Sequence, residues 1–347
     1  MEIEEKIQLT AYTKGGGCGC KLPPLALREI LSNQVSSDEF GLLIGNSKGD
    51  DAAVWEIGNG LCLISTTDFF TPIVDNPYDF GRIAAANSIS DVYAMGGKPV
   101  LALSILGWPT EKLSNKVAGE VLRGAREVCA SVGIAIGGGH SIENPEPIFG
   151  LSVNGMVNKE HIKSNHSALA GDVLILTKPL GSGILSTAMK RGKLSDEQKT
   201  ELIETLVEVN CIGQDLASFP GVHAMTDVTG FGLLGHALEL TEGSGLSLEL
   251  DYPQIPLMSG VKEFAAQMVY PDNTMRNWQA FNQKITGITG ESLLTLCDPQ
   301  TNGGLLVSVD AETLPMVIEM LENKKQFYRQ IGVFSAKREI AITLLGA

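Results

Sequence analysis

The segment Gly15-Gly16-Gly17-Cys18-Gly19-Cys20-Lys21 puts two thiols and an amine within four positions of one another on a glycine-rich backbone. Each glycine costs conformational entropy in a helix or a strand, so neither is expected there. A loop that can swing while carrying a nucleophile and a cation has the character of an active-site flap. A zinc site is a poor fit, because a Cys-x-Cys pair needs two further ligands and no second pair exists. A disulfide between Cys18 and Cys20 is strained at this spacing. A thiol beside Lys21 is stabilised as thiolate and so gains reactivity at neutral pH. Lys21 alternatively neutralises a phosphoryl group in transfer.

Four places put carboxylates in or at the ends of expected elements. Asp50-Asp51 opens a strand, and Asp68 lies in Ser65-Thr66-Thr67-Asp68-Phe69-Phe70. Asp91 sits inside an Ala-rich helix, and Asp227 ends a strand in Met225-Thr226-Asp227-Val228-Thr229-Gly230-Phe231-Gly232. Asp is a poor mid-helix residue, since its side chain competes for backbone groups. Asn87 lies four residues before Asp91, so the two share a face, and that polar stripe invites a cation. Hard oxygen donors without a histidine cluster suit Mg²⁺ better than Zn²⁺. Each residue alone has a plainer reading: Asp227 as a helix N-cap, Asp50-Asp51 as a solvated turn. Four together favour the metal.

Gly137-Gly138-Gly139-His140-Ser141 follows an apolar stretch and is expected to be either a sharp turn or an anion-binding nest of backbone N–H groups. It is neither a Walker A loop nor a dinucleotide fingerprint. Asn46-Ser47-Lys48-Gly49, just before Asp50, offers a cation and amides to the same phosphates. Asp298-Pro299-Gln300-Thr301-Asn302-Gly303-Gly304 is read simply as a turn.

The elements that must position these groups read as follows. Strands are expected over 52–57, 61–66, 99–106, 134–136, 149–157, 173–176 and 303–309. Helices are expected near 24–31 and over 79–95, 114–132, 201–211 and 231–242. Gly58-Asn59-Gly60 is a hairpin turn. Paired helices and β-rich ends in each half predict an α+β fold of two layered domains rather than a doubly wound parallel sheet. The expected division is a flexible catalytic segment over 1–47, a first domain over 48–160 and a second over 170–347, with the polar stretch from His161 to Gly171 as linker. Thr67-Asp68 and Thr226-Asp227, each after an apolar strand, form a faint internal echo.

The chain has 347 residues, 40 acidic and 26 basic, for a formal net charge of -14. That field repels a nucleic-acid backbone, while Mg²⁺ bridges would still admit a nucleotide. The acidic start and the absence of a run of roughly 18 apolar residues predict a cytoplasmic protein without a membrane span. Cys62, Cys129 and Cys211 are expected to be buried small hydrophobes.

Taken together, Gly17-Cys18-Gly19-Cys20-Lys21, Asp50-Asp51-Ala52-Ala53-Val54, Ser65 to Phe70, Gly137 to Ser141, Met225 to Gly232 and Cys297-Asp298-Pro299-Gln300-Thr301 resemble the selenophosphate synthetase (selenide, water dikinase) family. The central motifs alone resemble a wider superfamily that includes aminoimidazole ribonucleotide synthetase, thiamine-monophosphate kinase and the hydrogenase maturation dehydratase. The resemblance implies an aminoimidazole ribonucleotide synthetase-like fold and conversion of ATP, selenide and water into selenophosphate, orthophosphate and AMP. It also implies a homodimer whose first domains pair their sheets, a K⁺ requirement, and a selenium-delivery protein as a partner. Residue by residue, it makes Cys18 the position that is cysteine or selenocysteine and Lys21 the essential lysine. Asp51, Asp91 and Asp227 become Mg²⁺ ligands. Lys21, Lys48, Gly49, Asp50, Asp68, Asp91, Gly139, His140 and Ser141 become ATP contacts.

Overall fold

The computed structural model describes residues 7–13, 15–17, 22, 26, 30, 41–45 and 49–347. Cys18, Cys20, Lys21 and Lys48 lie outside the described residues, as does most of the helix expected near 24–31.

Two mixed sheets carry the fold. In chain order the first holds β1 (Leu42–Ile44), β2 (Ala53–Gly58), β3 (Leu61–Phe70), β4 (Lys98–Trp108), β5 (Ile136–Glu143) and β6 (Ile148–Asn158), arranged β1-β2-β3-β6-β4-β5. The second holds β7 (Val173–Leu176), β8 (Val222–Asp227), β9 (Leu246–Asp251), β10 (Ile285–Thr286), β11 (Leu305–Val309), β12 (Arg329–Ala336) and β13 (Ile342–Leu345), arranged β10-β13-β9-β12-β7-β11-β8. Most neighbours are antiparallel. The β4/β5, β10/β13 and β9/β13 pairs are parallel. The α+β expectation therefore holds.

The β2–β3 hairpin turns through Gly58, Asn59 and Gly60, all at positive φ, as the sequence predicts. One apolar face of the first sheet is covered by the helix Pro77–Ala94, on which the helix Asn115–Ser131 packs. Asn76 starts the first helix by accepting from the N–H groups of Tyr78 and Asp79, with Pro77 in its first turn. The two helices approach closely because a Cβ on Gly81 would fall 1.8 Å from the Val121 carbonyl oxygen. From Phe80 to Ala94 every residue except Arg82 is buried. A helix buried on all sides is expected to be apolar all round. Asn87, Ser88, Ser90 and Asp91 break that rule, so each needs a partner inside the protein.

One hydrophobic cluster spans the two halves. Ile184, Leu185, Leu202 and Leu206 of the second half pack in the same cluster as Ile83, Ile89 and Phe149 of the first. The stretch between them is not a solvated tether. Lys163, Ser164 and Asn165 are buried, and the Lys163 ammonium donates to the Val222 carbonyl at 2.6 Å.

Three local expectations change. The Gly137–Ser141 run is neither a turn nor a nest but part of β5, paired in parallel to β4. The helix expected over 201–211 runs instead from Asp196 to Val207, capped by a reciprocal Ser195–Gln198 box. Cys211 therefore falls in the turn beyond it and is exposed, whereas Cys62 and Cys129 are buried as expected. No helix among the described residues is long and apolar enough to cross a membrane.

Candidate functional site

The polar residues of the Pro77–Ala94 helix find their partners at the ends of strands from both halves. Asn87 donates through Nδ2 to Asp68 Oδ2 on β3. Its Oδ1 accepts the Asn302 N–H at 2.8 Å from across the domain boundary. Ser88 Oγ donates to the Asp68 carbonyl and accepts the Leu151 N–H. One turn on, Ser90 Oγ donates to Asp227 Oδ2 at 2.6 Å and accepts from Asn210 Nδ2 at 2.8 Å. Asp91 accepts from Thr66 Oγ1 at 2.5 Å. The Thr67-Asp68 and Thr226-Asp227 echo thus has a spatial meaning, since both aspartates face the same helix.

Asp51 completes the group. Its Oδ1 accepts from Thr226 Oγ1 at 2.9 Å, while its Oδ2 is buried and accepts no hydrogen bond from the described residues. Burial first, then repulsion from Asp227 and Asp91, pushes the Asp51 carboxyl well above the usual carboxylate range. A buried carboxylate held among others, with an oxygen left over, is suited to a cation. Among the described residues no three His, Cys, Asp or Glu side chains enclose a metal by themselves. Such a cation would therefore need oxygens from a ligand and water as well, which is how Mg²⁺ is usually held.

Asp50 points elsewhere. Its side chain is almost wholly buried, accepts the Asn165 N–H at 3.0 Å and lies 3.4 Å from His166 Nδ1. Asn165 Nδ2 also donates to the Gly49 carbonyl. Gly49 and Asp50 are thus tied to the stretch that joins the halves.

Gly139, His140 and Ser141 are not brought to this group within one chain. The register runs Asp68–Leu151–Ser104–Gly139 across β3, β6, β4 and β5. Three strand spacings of about 4.8 Å put Gly139 about 14 Å from Asp68. All three residues are exposed on an edge strand. Gly139 packs so tightly there that a Cβ would fall 2.1 Å from the Ser104 carbonyl oxygen.

Several residues of the site escaped sequence reasoning. The 298–304 loop is a buried junction rather than a plain turn. Asp298 and Gln300 accept the first N–H groups of the helix Ser182–Lys190. Lys178, also buried, donates to the Glu208 and Asn302 carbonyls, and burial lowers its pKa to about 8. Glu239, held by His236 at 3.0 Å, adds to the repulsion on Asp51. The available signal was the helical spacing of Asn87, Ser90 and Asp91. The partner on each side was not readable.

The class is defined by comparison with known proteins. Residues 49–157 match the N-terminal domain model of AIR synthase related proteins and residues 170–344 the C-terminal domain model. A solved thiamine-monophosphate kinase from Stenotrophomonas maltophilia K279a has the same fold, with a TM-score of 0.65 at 18% identity over 94% of this chain and 97% of that one. Within that class the relation is closer to one group. A selenide, water dikinase of Aeromonas hydrophila is 53% identical over 88% of this chain and 89% of its own length. Another from Pasteurella multocida is 47% identical over 99% of both. The chain belongs to the selenide, water dikinase family of AIR synthase related proteins.

Proposed function

We infer that the protein makes selenophosphate from selenide, ATP and water, releasing AMP and orthophosphate, as a cytoplasmic selenium donor for selenocysteine and seleno-tRNA synthesis. The observation that carries this reading is that Asp51 is buried close enough to Asp91, on the Pro77–Ala94 helix, and to Asp227, which Ser90 of that helix holds, for both to repel its charge. Its chemistry fits the activity named for relatives that match nearly the whole chain.

Asp51, Asp91 and Asp227 would hold Mg²⁺, with Asp51 Oδ2 as the oxygen reserved for it. Bound Mg²⁺ would neutralise the polyphosphate and bridge it to an otherwise repellent acidic site. The chain's own groups do the rest. Thr66, Ser90 and Thr226 fix the three carboxylates by hydrogen bonds, so they need little reorganisation when charge moves. Asp68, locked by Asn87, together with Gly49 and Lys48, would contact the nucleotide. Cys18 and Lys21 would supply the remaining chemistry. Lys21 would balance charge on the phosphoryl group in transfer and Cys18 would handle the soft selenium. K⁺ and a selenium-delivery protein belong to the same reading.

A homodimer also belongs to it. Strand register puts Trp55, Phe69, Leu103 and Ile142 on the face of the first sheet away from the Pro77–Ala94 helix, and they are 44%, 47%, 40% and 58% exposed. His140 shares that face. A second copy on it would cover the apolar residues and bring its own Gly139–Ser141 edge toward the nucleotide, which one chain alone does not do.

The test is phosphorus NMR of ATP, Mg²⁺, K⁺ and selenide under anaerobic conditions. Selenophosphate with equimolar AMP and orthophosphate is expected. ADP as the final nucleotide, or turnover independent of selenide, overturns the reading.

A further inference from the structure

The residues just before Cys18 are docked onto both halves of the protein. Leu9 is fully buried, and its N–H points to the Asp75 carbonyl at 3.4 Å. Thr10 gives Asp75 both its N–H and its hydroxyl, at 3.2 and 2.5 Å. The Thr13 carbonyl accepts from the Lys190 ammonium at 3.1 Å, a contact to the second half. The Gly15 carbonyl accepts from the hydroxyls of Thr13 and Thr71, at 2.6 and 3.2 Å. Gly17 donates its N–H to the Thr71 carbonyl at 2.9 Å.

Gly17 is the last described residue before the thiols. Its φ is +56°, where a side chain is strained. A Cβ there would fall 2.3 Å from Thr301 Oγ1 and 2.7 Å from Ile73 Cδ1. Thr301 lies in the 298–304 junction, one residue before Asn302, whose N–H holds Asn87 and through it Asp68. The first half supplies Thr71, Ile73 and Asp75, and the second half supplies Lys190 and Thr301. No side chain other than hydrogen fits the last step.

We propose that Leu9–Thr13 and Gly15–Gly17 form a fixed strap that anchors the chain just before Cys18, with Gly17 seated against Thr301 and Ile73. The proposal rests on the function inferred above, in that its consequence is for selenide-dependent turnover. The strap itself is testable without that function. Gly17 and Thr301 are positioning residues, since neither need touch substrate.

Hydrogen exchange without nucleotide tests the strap directly. The Thr10 and Gly17 amides should exchange at least tenfold slower than unstructured references. Exchange at the unstructured rate overturns the proposal, whatever the enzyme makes. Its consequence is tested with Gly17→Ala beside the milder pair Thr71→Val and Lys190→Met. Gly17→Ala should lower kcat for selenide-dependent AMP formation at least tenfold, with KM for ATP and nucleotide affinity within twofold of wild type. It should also change the alkylation rate of Cys18. The milder pair, which keeps the core, should move kcat and Cys18 alkylation in the same directions by less. Wild-type kcat in both proteins overturns the positioning role, as does a loss of nucleotide affinity that matches the loss of kcat.

Discussion

Ser90→Ala removes one hydroxyl from the buried helix and asks whether Asp227 depends on it. Ser90 Oγ donates to Asp227 Oδ2 at 2.6 Å and accepts from Asn210 Nδ2 at 2.8 Å. The first bond reaches a carboxylate and is worth about 1.5–3 kcal/mol; the second, between neutral groups, adds about 1 kcal/mol. Asn210 keeps its other bond, to the Gly303 carbonyl at 2.8 Å, which limits the second loss. The removed oxygen is small, so the cavity cost is minor beside these. The nucleotide-free protein should lose about 2–4 kcal/mol, a drop of roughly 4–16 °C in Tm for domains of this size. In the assay the half-saturating Mg²⁺ concentration should rise about tenfold, the equivalent of 1.4 kcal/mol at a less well fixed ligand. Saturating Mg²⁺ should restore most of kcat, because Asp227 is still present. Thermal melts with and without Mg²⁺ and ATP, beside a Mg²⁺ titration of selenophosphate formation, read both effects. An S90A protein that melts within a degree of wild type, with unchanged Mg²⁺ dependence, would refute the claim that this helix orients Asp227.

Replacing Asp51, Asp91 or Asp227 by Asn should abolish turnover with the fold intact. Asp51→Asn should also raise the metal-free Tm, because it removes repulsion from Asp227 and Asp91; activity at modest Mg²⁺ removes that residue from the metal site. Cys18→Ser should stop selenophosphate formation while ATP still binds, and Cys20→Ser should keep a substantial fraction; normal turnover by Cys18→Ser leaves Lys21 as the reactive group of that segment. Burial raises the Asp298 pKa from 3.8 to about 7, against hydrogen bonds from Ile184, Gln300 and Gly183 that lower it. The folded protein therefore holds a proton that the unfolded chain releases between these values, and stability from this group is full below pH 3.8 and lost as pH rises to about 7. Asp298→Asn should flatten the decline in stability over that window, measured by urea unfolding at a series of pH values; an unchanged slope shows that Asp298 is not its source.

The fold was legible wherever pattern and punctuation agree. Alternating residues over Ala53–Gly58 and Leu61–Phe70 around Gly58-Asn59-Gly60 can form little but a hairpin, and that hairpin is present. The Gly137–Ser141 run misled because glycine is read as a turn by composition, whereas here it lets an edge strand lie against Ser104. The helix ending at Val207 rather than Cys211 reflects a boundary set by tertiary contacts. Asn210 leaves the helix to bond Ser90 and the Gly303 carbonyl, and no local signal announces that.

The site was legible as residue types and much less so as geometry. An aspartate in a buried helix forces the question of what satisfies it, and that question can be asked from sequence alone. Its answers lie at sequence separations that propensity cannot span: 25 residues for Asp91 and Thr66, 137 for Ser90 and Asp227, 215 for Asn87 and Asn302. The last pair explains why the 298–304 loop looked like an ordinary turn. Asp, Pro, Gln, Thr, Asn and Gly are turn residues in solvent and hydrogen-bonding residues in the interior, and only burial separates the two uses. Here Asp298, Gln300, Thr301 and Asn302 are all buried, so the same residues that suggest a surface bend join a helix start, a strap and a carboxylate clamp. Disturbing that loop should therefore alter both nucleotide and selenium steps, whereas a disturbance confined to the strap should alter only the second.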